Sequence, residues 1–320
     1  MSFSISVVIP VYNCEQYIEK AVASALQQPE VLEVVVVNDG SIDKTQEILT
    51  RLVTKHQKLK VFNHPNNLNK GRSASRNLGI KKASGNYIAF LDADDYYLPN
   101  RFSNDKVLFE QSEDIDGIYN AIGTHLYREI EYQEEKQLLS KLFTINKVVE
   151  PYDLFDTIMS GNYGYFSIDG MTLKRTIVEN IGGFNESLVV AEDTDFILKL
   201  SLKYDLYPGQ LDKPLAMRGI HTNNVFNNKE LYSLYDLKMY ESLYFWTIKS
   251  NFALNIVERF LERIWIIHFN QKKDFFSYIK IWFGYTMRYP KILFTTLSIK
   301  YFPLIRLRQK LFPFLYNNSK

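Results

Sequence analysis

The segment Val31–Ser41, VLEVVVVNDGS, runs from an apolar stretch into a polar turn. Its four consecutive valines, at 34–37, favour a strand that is buried on both faces, as in parallel sheets. The turn Asn38-Asp39-Gly40-Ser41 offers a carboxylate, a glycine for a tight bend and a hydroxyl that can cap the next helix. The segment therefore predicts a buried strand followed by a loop able to bind a ligand. Taken alone, the turn is explained equally well as a simple turn and helix cap.

The flanking sequence repeats this alternation of short apolar runs and amphipathic stretches. The predicted strands are Ile5–Val11, Leu32–Val37, Lys60–Phe62 and Tyr87–Leu91, and the predicted helices are Glu15–Gln27, Lys44–His56 and Arg72–Lys82. Strands that alternate with helices in this way are typical of a Rossmann-like α/β fold with a mostly parallel sheet.

The pattern changes after about residue 115. The second part predicts, in order, a strand-like segment at 117–127, a charged insertion at 129–141, a short helix at 154–159, a short strand at 171–173 and an amphipathic helix at 192–204. A polar stretch at 222–228 then precedes a region with apolar residues at helical spacing. We predict one α/β domain in residues 1–224, with halves at about 1–115 and 116–224, and a helical region in residues 225–320.

Composition limits the cellular setting. The chain has 320 residues, of which 46% are hydrophobic, so a substantial core can form. The single cysteine, Cys14, excludes an internal disulfide framework and a cysteine-based zinc site, and it suits a reducing cytoplasm. The chain begins directly in a predicted strand without a basic leader, which predicts that it is not exported. No uncharged stretch reaches the length of about 20 residues that a membrane-spanning helix needs.

Basic and aromatic residues are concentrated at the end of the chain. Residues 272–320 hold ten Lys and Arg against one acid, Asp274, so they carry +9 while the first 271 residues carry −7. The same tail holds 13 aromatic residues. Three interpretations stay open: helices that pack on the sheet or on a second copy of the chain, attachment to an anionic membrane surface, and nucleic-acid binding. No nucleic-acid-binding motif accompanies the charge, so we expect no nucleic-acid partner. Pro303 and Pro313 would interrupt a long membrane-bound helix.

An acidic cluster follows the predicted strand Tyr87–Leu91. Asp92, Asp94 and Asp95 fall within four residues, where carboxylates at the end of a buried strand repel one another unless water or cations solvate them. Hard cations such as Mg²⁺ and Mn²⁺ prefer carboxylate oxygens and often bridge them to phosphates. Since ligands bind beyond the carboxyl ends of strands in open α/β sheets, the cluster predicts a metal and phosphate site. An exposed acidic turn is the alternative.

These segments together resemble the successive motifs of family 2 glycosyltransferases of GT-A fold. The matching segments are Val7–Asn13 (VVIPVYN), Val37–Ser41 (VNDGS), Gly71–Asn77 (GRSASRN), Phe90–Asp95 (FLDADD), Gly182–Glu186 (GGFNE) and Ala191–Asp193 (AED). Each motif is weak alone, but their joint order and spacing over residues 4–222 are specific. Ser75, where the family more often has alanine, is a minor departure.

The resemblance implies a nucleotide-sugar transferase whose first half binds the donor and whose second half binds the acceptor. The backbone around Pro10 and Tyr12, together with Asp39, would hold the nucleotide base. Asn69 and Arg76 would lie beside the base, ribose or diphosphate.

The remaining implied roles concern the metal and the chemistry. Asp92 would contact the ribose or the metal, and Asp94 would be a ligand of Mn²⁺ or Mg²⁺. His221 resembles a histidine that ligates the metal or touches the diphosphate in several relatives, although a lone histidine in a polar loop is as readily a surface residue. Asp193 would be the general base. Independently, a carboxylate at a helix start tends to stay ionised, which suits a base for single-displacement, inverting transfer; an ordinary acidic first turn is the alternative.

We therefore expect an inverting hexosyltransferase that moves a sugar, most often from UDP, to a saccharide or lipid-linked saccharide during cell-surface polysaccharide synthesis. Its expected location is the cytoplasm or the inner face of the cell membrane. A non-catalytic nucleotide-sugar-binding protein is one alternative. A sugar-1-phosphate nucleotidyltransferase is another, but it would carry a glycine-rich basic loop where this chain has Tyr12–Glu15, YNCE. A paired-carboxylate hydrolase would leave the nucleotide-binding loops unexplained.

Overall fold

The valine-rich segment forms strand β2 (Val31–Asn38), and its four central valines are fully buried. The computed structural model describes residues 3–129, 136, 138–222, 224, 228–271 and 273–312. The chain divides into two compact units, one ending at Asn228 and one beginning at Lys229. The predicted boundary at residues 224 and 225 falls close to this division.

The first unit is built on two sheets. Its strands are β1 (Ile5–Val11), β2, β3 (Leu59–Asn63), β4 (Tyr87–Phe90), β5 (Tyr96–Tyr97), β6 (Gly117–Tyr119), β7 (Ile122–Leu126), β8 (Met171–Lys174), β9 (Leu206–Pro208) and β10 (Ala216–Ile220). Seven strands form one sheet in the order β3-β2-β1-β4-β8-β6-β9, and β5-β10-β7 form a smaller one. Strands β1 to β4 pair in parallel, whereas β8 is antiparallel to both β4 and β6.

Helices cover these sheets. In the first unit they are α1 (Ile18–Leu26), α2 (Thr45–Lys55), α3 (Arg72–Lys82), α4 (Ser103–Gln111), α5 (Pro151–Ser160), α6 (Arg175–Ile181) and α7 (Glu192–Lys203), with 3₁₀ turns at Pro65–Asn67 and Ile168–Gly170. The main core lies between the parallel strands and helices α1 and α2. Because β1, β2 and β4 are parallel neighbours, their carboxyl ends meet at one edge of the sheet.

Two sequence predictions fail where polar side chains bind the turn before α2. Ser41 does not cap that helix, because its hydroxyl accepts a hydrogen bond from the Asn13 amide at 3.0 Å. Helix α1 begins at Ile18 rather than Glu15, since the Glu15 carboxylate accepts from the Lys44 amide at 2.8 Å. The Glu15 amide in turn donates to Asp43 at 3.0 Å. Segments 13–15 and 41–45 are thus tied together, and that bonding competes with helix formation.

The strand-like segment 117–127 is two strands, β6 and β7, which belong to different sheets. The break is at Asn120, whose fully buried side chain donates to both Asp105 oxygens, at 3.0 and 3.2 Å, and accepts from the Gln210 amide at 2.7 Å. A buried amide side chain with these partners fixes the position where the chain changes sheets. The charged insertion that follows lies partly outside the described residues.

The second unit is helical over its described residues. Its helices are α8 (Lys229–Lys249), α9 (Leu254–Asn270), α10 (Phe275–Thr286), α11 (Thr296–Tyr301), α12 (Pro303–Arg306) and α13 (Arg308–Leu311), with a 3₁₀ turn at Pro290–Ile292. Helix α9 buries one stripe completely: Val257, Phe260, Leu261, Ile264 and Trp265. Helix α10 is N-capped by Asp274, which accepts from the Ser277 amide at 2.9 Å. Among the described residues, no helix has both the length and the apolarity to cross a membrane.

A buried glutamate ties three parts of the first unit together. Glu33, on β2, accepts hydrogen bonds from the Ser6 hydroxyl on β1 at 2.7 Å and from the Ser84 amide at 2.6 Å. The Lys60 ammonium on β3 lies 2.5 Å from its second oxygen. Burial works to raise the pKa of Glu33, but Lys60 and the serine donors outweigh it and lower that pKa to about 2.

We expect Glu33→Ala to destabilise the first unit by about 1–3 kcal/mol at neutral pH, because the buried Ser6 hydroxyl loses its acceptor and Lys60 loses its ion-pair partner. Since the folded-state pKa is depressed, Glu33 contributes stability above its unfolded pKa, and this contribution is lost as the pH falls from about 4.5 towards 2. Urea unfolding of wild type and variant at several pH values measures the difference. Glu47→Ala, on the exposed side of α2, serves as the control. A difference in stability that did not shrink at low pH would contradict this account.

Candidate active site

The ends of β1 and β2 are joined at the sheet edge. The Asp39 amide donates to the Val11 carbonyl at 2.8 Å. Gly40 then turns with φ of +74°, a left-handed conformation that favours glycine. A Cβ at this position would also collide with the Asn67 carbonyl oxygen, and it would lie 3.1 Å from the Asn69 amide nitrogen. Glycine is therefore required at residue 40 both for the turn and for the approach of the 67–69 loop.

Asp39 holds the start of helix α3. Its two carboxylate oxygens accept hydrogen bonds from the Lys70 amide at 2.7 Å and the Gly71 amide at 2.9 Å. His64 lies 3.5 Å from the same carboxylate and 3.0 Å from the Ser75 hydroxyl. Each carboxylate oxygen has two acceptor directions, so these bonds do not use the full acceptor capacity of this buried carboxylate. Asp39 thus orders the loop that approaches Gly40.

Arg76, on α3, joins two acidic motifs. Its buried guanidinium donates to Asp92 at 2.6 Å and to Glu192 at 2.8 Å. It also lies 5.1 Å from the centre of the Phe184 ring. One arginine therefore connects the end of β4 with the first turn of α7.

The charges around this bridge shift the pKa values of its members. Burial works to lower the pKa of Arg76, but Asp92 and Glu192 raise it above its ordinary value. Burial works to raise the pKa of Asp92, and Arg76 with Arg72 overcomes this and lowers it. For Glu192 burial prevails, so its pKa is raised despite Arg72 and Arg76. Asp92 is thus held ionised beside a permanently charged guanidinium.

Asp94 and His221 meet although they are far apart in sequence. The His221 Nε2 atom lies 2.8 Å from the Asp94 carboxylate, and the Asn224 side-chain amide donates to the same oxygen at 3.2 Å. The Tyr17 ring stacks on the His221 ring, with centroids 4.9 Å apart. Both Asp94 and His221 are partly exposed. A carboxylate oxygen and an imidazole nitrogen therefore converge at one accessible point.

Strand β10 approaches the acidic turn closely at Gly219. The Gly219 amide donates to Asp95 at 2.8 Å. A Cβ on Gly219 would collide with the Asp94 carbonyl oxygen and would lie 2.7 Å from the Tyr127 ring. The absence of a side chain here allows β10 to come close to the acidic turn, so that His221, directly after the strand, reaches Asp94.

A second acidic group lies deeper. Carboxylate oxygens of Asp92, Asp95 and Asp169 lie within 4.8 Å of one another. Asp95 and Asp169 are buried and hydrogen-bonded to each other. Burial and the neighbouring carboxylates raise the pKa of Asp95 well above its ordinary value, and burial with Asp92 raises that of Asp169 to about 6. Such a pair favours sharing a proton.

The pair Asp94 and His221 fits a divalent cation better than this deeper group. Asp92 is already neutralised by Arg76, and Asp95 and Asp169 are buried with partners of their own. Asp94 and His221 instead offer an oxygen and a nitrogen at an accessible point, a combination that suits Mn²⁺ more than Mg²⁺.

The other residues predicted from sequence lie around the same edge of the sheet. Pro10 is buried within β1, whereas Tyr12 beyond its end is exposed. Asn69 is exposed in the loop that packs on Gly40. Asp193 is partly exposed in the first turn of α7, and its carboxylate accepts from the Thr194 amide at 2.7 Å.

The sequence did not predict three residues that belong to the candidate site. Glu192 precedes Asp193 in the AED motif and received no role of its own, but it is the residue that binds Arg76. Asp169 stands alone in a 3₁₀ turn, and no local motif marks it. Tyr17, the N-cap residue of α1, resembles any half-buried aromatic until its stacking on His221 is seen.

Comparison with known proteins identifies the family. The family model for Glycosyl transferase family 2 matches residues 6–165 of the chain, which is half of its length. The chain is a family 2 glycosyltransferase. Among its relatives, the chondroitin synthase of Pasteurella multocida is 31% identical over 210 residues, or 62% of this chain and 19% of the synthase. The uncharacterized glycosyltransferase EpsJ of Bacillus subtilis is 36% identical over 198 residues, 61% of this chain and 55% of EpsJ. The transferase spans between 14% and 39% of the length of four such relatives, including hyaluronan synthase.

Solved structures agree on the fold. Residues 1–349 of TarS from S. aureus, crystallised with UDP, align with a TM-score of 0.60 and 19% identity, over 96% of the transferase and 91% of TarS 1–349. The mannosyltransferase PcManGT of Pyrobaculum calidifontis, solved with GDP-Man and Mn²⁺, aligns with a TM-score of 0.53 and 13% identity, over 97% and 87% of the two chains. The predictions of family 2 and of a GT-A fold with a helical C-terminal region are confirmed.

We expect Asp39→Ala to loosen the loop that precedes α3, because the Lys70 and Gly71 amides lose their shared acceptor. Loss of a charged acceptor costs about 1–3 kcal/mol, which predicts faster hydrogen exchange at these two amides. Asp114→Ala, at an exposed position of the same unit, is the control. Unchanged exchange at Lys70 and Gly71 in the folded Asp39 variant would remove Asp39 from this role.

Proposed function

We propose that this glycosyltransferase moves a hexose from a nucleotide-diphosphate sugar, with UDP as the favoured nucleotide, to a saccharide or lipid-linked saccharide acceptor, with inversion at the anomeric carbon. The chondroitin and hyaluronan synthases among its relatives support a role in cell-surface polysaccharide synthesis. TarS, solved with UDP and with UDP-GlcNAc, supports the choice of nucleotide.

The Arg76 bridge is the observation that carries this proposal. It joins Asp92, at the carboxyl end of β4, to Glu192 at the start of α7. The two motifs assigned to donor binding and to acceptor activation are therefore held against one side chain. A transferase needs this arrangement, because the base and the donor must meet at one anomeric carbon with defined geometry.

Donor binding is assigned to the edge formed by β1, β2 and the loop before α3. The backbone around Pro10 and Tyr12 and the remaining acceptor capacity of Asp39 suit the base. Asn69 is assigned to the base, ribose or diphosphate, and Asp92 to the ribose or the metal. Arg76 acts mainly by holding Asp92, since its guanidinium is buried between two carboxylates.

Asp94 and His221 are assigned as ligands of Mn²⁺ or Mg²⁺, with their present hydrogen bond replaced by bonds to the ion. A bound cation would offset the negative charge that builds on the departing diphosphate. Asn224 and the stacked Tyr17 ring orient the two ligands. The Mn²⁺ in the PcManGT structure supports this assignment.

Asp193 is assigned as the base that takes the proton from the acceptor hydroxyl. Glu192 is buried and bound by Arg76, whereas Asp193 is partly exposed, so the second member of the pair is the one an acceptor can reach. Asp193 lies in the first turn of α7, at the positive end of the helix dipole. We propose that the reaction takes place on the cytoplasmic side of the cell membrane, which suits a chain with a single, unpaired cysteine.

Activity is expected to require a divalent cation and to fall about 100-fold or more in Asp94→Ala, because charge on the leaving diphosphate loses its support. Transfer assays with EDTA and with restored Mn²⁺ test the requirement. Electron paramagnetic resonance of free Mn²⁺ tests ligation directly, with weaker binding expected for Asp94→Ala and His221→Ala than for the exposed control Asp114→Ala. Undiminished turnover in excess EDTA would falsify the metal assignment.

Asp193→Asn is expected to retain donor binding but to lose transfer by about 10²–10⁴-fold, since the amide keeps the shape of the side chain but cannot accept the proton. Calorimetry with the donor nucleotide and a transfer assay measure the two effects separately, and NMR of the product should show inverted configuration. Near-normal transfer by Asp193→Asn or retained configuration would sink the mechanism. If Glu192→Gln alone were inactive with its fold intact, the base would be reassigned within the pair.

A further inference from the structure

Helix α10 of the second unit is apolar on both of its faces. One face is buried and consists of Tyr278, Trp282, Tyr285 and Thr286. Tyr285 accepts a hydrogen bond at its carbonyl from the Tyr244 hydroxyl, and the Trp282 indole donates to the Ser298 carbonyl at 2.9 Å. This face therefore packs within the unit, as expected for an amphipathic helix on a small core.

The opposite face carries large apolar side chains where an ordinary surface helix carries polar ones. Phe276 is 79% exposed, Phe283 is 44% exposed and Met287, at the C-cap, is 60% exposed. Residues seven and eleven positions apart lie nearly above one another on a helix with 3.6 residues per turn. The three side chains therefore form one outward stripe, and Lys280 falls within it. We call Phe276, Lys280, Phe283 and Met287 the outer stripe.

Exposed apolar and basic residues continue after the helix. Phe294, after the turn at Pro290–Ile292, is 84% exposed. Residues 275–312 contain no acidic residue, and they contain seven basic ones: Lys280, Arg288, Lys291, Lys300, Arg306, Arg308 and Lys310. Exposed apolar patches edged by charge of one sign mark interaction sites rather than ordinary surface.

We propose that the outer stripe and Phe294 insert into the boundary between headgroups and acyl chains of an anionic lipid bilayer, with the neighbouring lysines and arginines contacting lipid phosphates. An amphipathic helix binds in the plane of the interface in this way, with its apolar face immersed and its cations at headgroup level. The inference concerns a surface of the second unit and is independent of the chemistry proposed for the first.

Charge distinguishes a bilayer from the other occupants of such a face. In a symmetric contact between two copies, the same patch faces itself, so the basic residues of 275–312 would face those of the other copy, and the nearby Glu262 on α9 is already paired with Lys300. Nucleic acid would satisfy the charge but would leave Phe276 and Met287 without an apolar environment. An anionic bilayer satisfies both the cations and the apolar side chains.

The test uses the full chain and sedimentation with vesicles. The wild-type chain is expected to pellet with equimolar phosphatidylcholine and phosphatidylglycerol, less with phosphatidylcholine alone, and less as salt rises. The double variant Phe276→Ser/Phe283→Ser is expected to bind the anionic vesicles about tenfold or more weakly, because its immersed apolar area is lost. Lys280→Glu/Lys291→Glu is expected to weaken binding mainly at low salt. Leu234→Ser, at an exposed apolar position on α8, should bind like wild type.

Circular dichroism of each variant and transfer to a free saccharide acceptor verify that the fold and the first unit are intact. Wild-type chain that stays in the supernatant with anionic vesicles at low salt would overturn the proposal. So would equal binding by the Phe276→Ser/Phe283→Ser variant. A wild-type dimer that this variant converts to monomer, seen by sedimentation velocity without lipid, would assign the face to a second copy instead.

Discussion

The site depends on a single buried arginine held between two carboxylates. Arg76 must donate to Asp92 and Glu192 at once, and a guanidinium can do so because its donors point in fixed, separate directions. A lysine ammonium carries the same charge at one point and could not keep both distances. Because Glu192 is buried, removing Arg76 would leave it with only the longer contact to Arg72, at 3.5 Å, to offset its charge away from water. The contacts of Arg76 therefore stabilise the local packing and also hold the Asp92 and Glu192 motifs next to each other.

The parallel part of the fold could be predicted because β1 and β2 are buried on both faces and read as continuous apolar runs. The break at Asn120 could not, since it depends on Asp105 and Gln210, which are distant in sequence. Helix starts were misjudged where side chains such as Glu15 bind the backbone of another turn. The hydrophobic pattern of a segment indicates which of its residues are buried, but it does not reveal a hydrogen-bond partner that is distant in sequence.

In the candidate site, too, local motifs marked some residues, whereas the contacts between distant residues could not be predicted. Motifs marked Arg76 and the acidic turn, yet the contact between Arg76 and Glu192 spans 116 positions and that between Asp94 and His221 spans 127. Asp169 lacked any local signal, because its proximity to Asp95 is created by the packing of a 3₁₀ turn. The sequence thus indicated which chemistry to expect. Only the fold shows that Asp92 is neutralised by Arg76, that Asp95 is hydrogen-bonded to Asp169, and that Asp94 is accessible.

The close approach at Gly219 has a practical consequence for genetics. An allele that removes a charged side chain from a site also alters net charge and local solvation. A methyl group at residue 219 would instead push β10 away from the Asp94 carbonyl and the Tyr127 ring, separating His221 from its partner while every ionisable group remains. Such an allele would let an experimenter distinguish the effect of separating His221 from Asp94 from the effect of a changed surface charge.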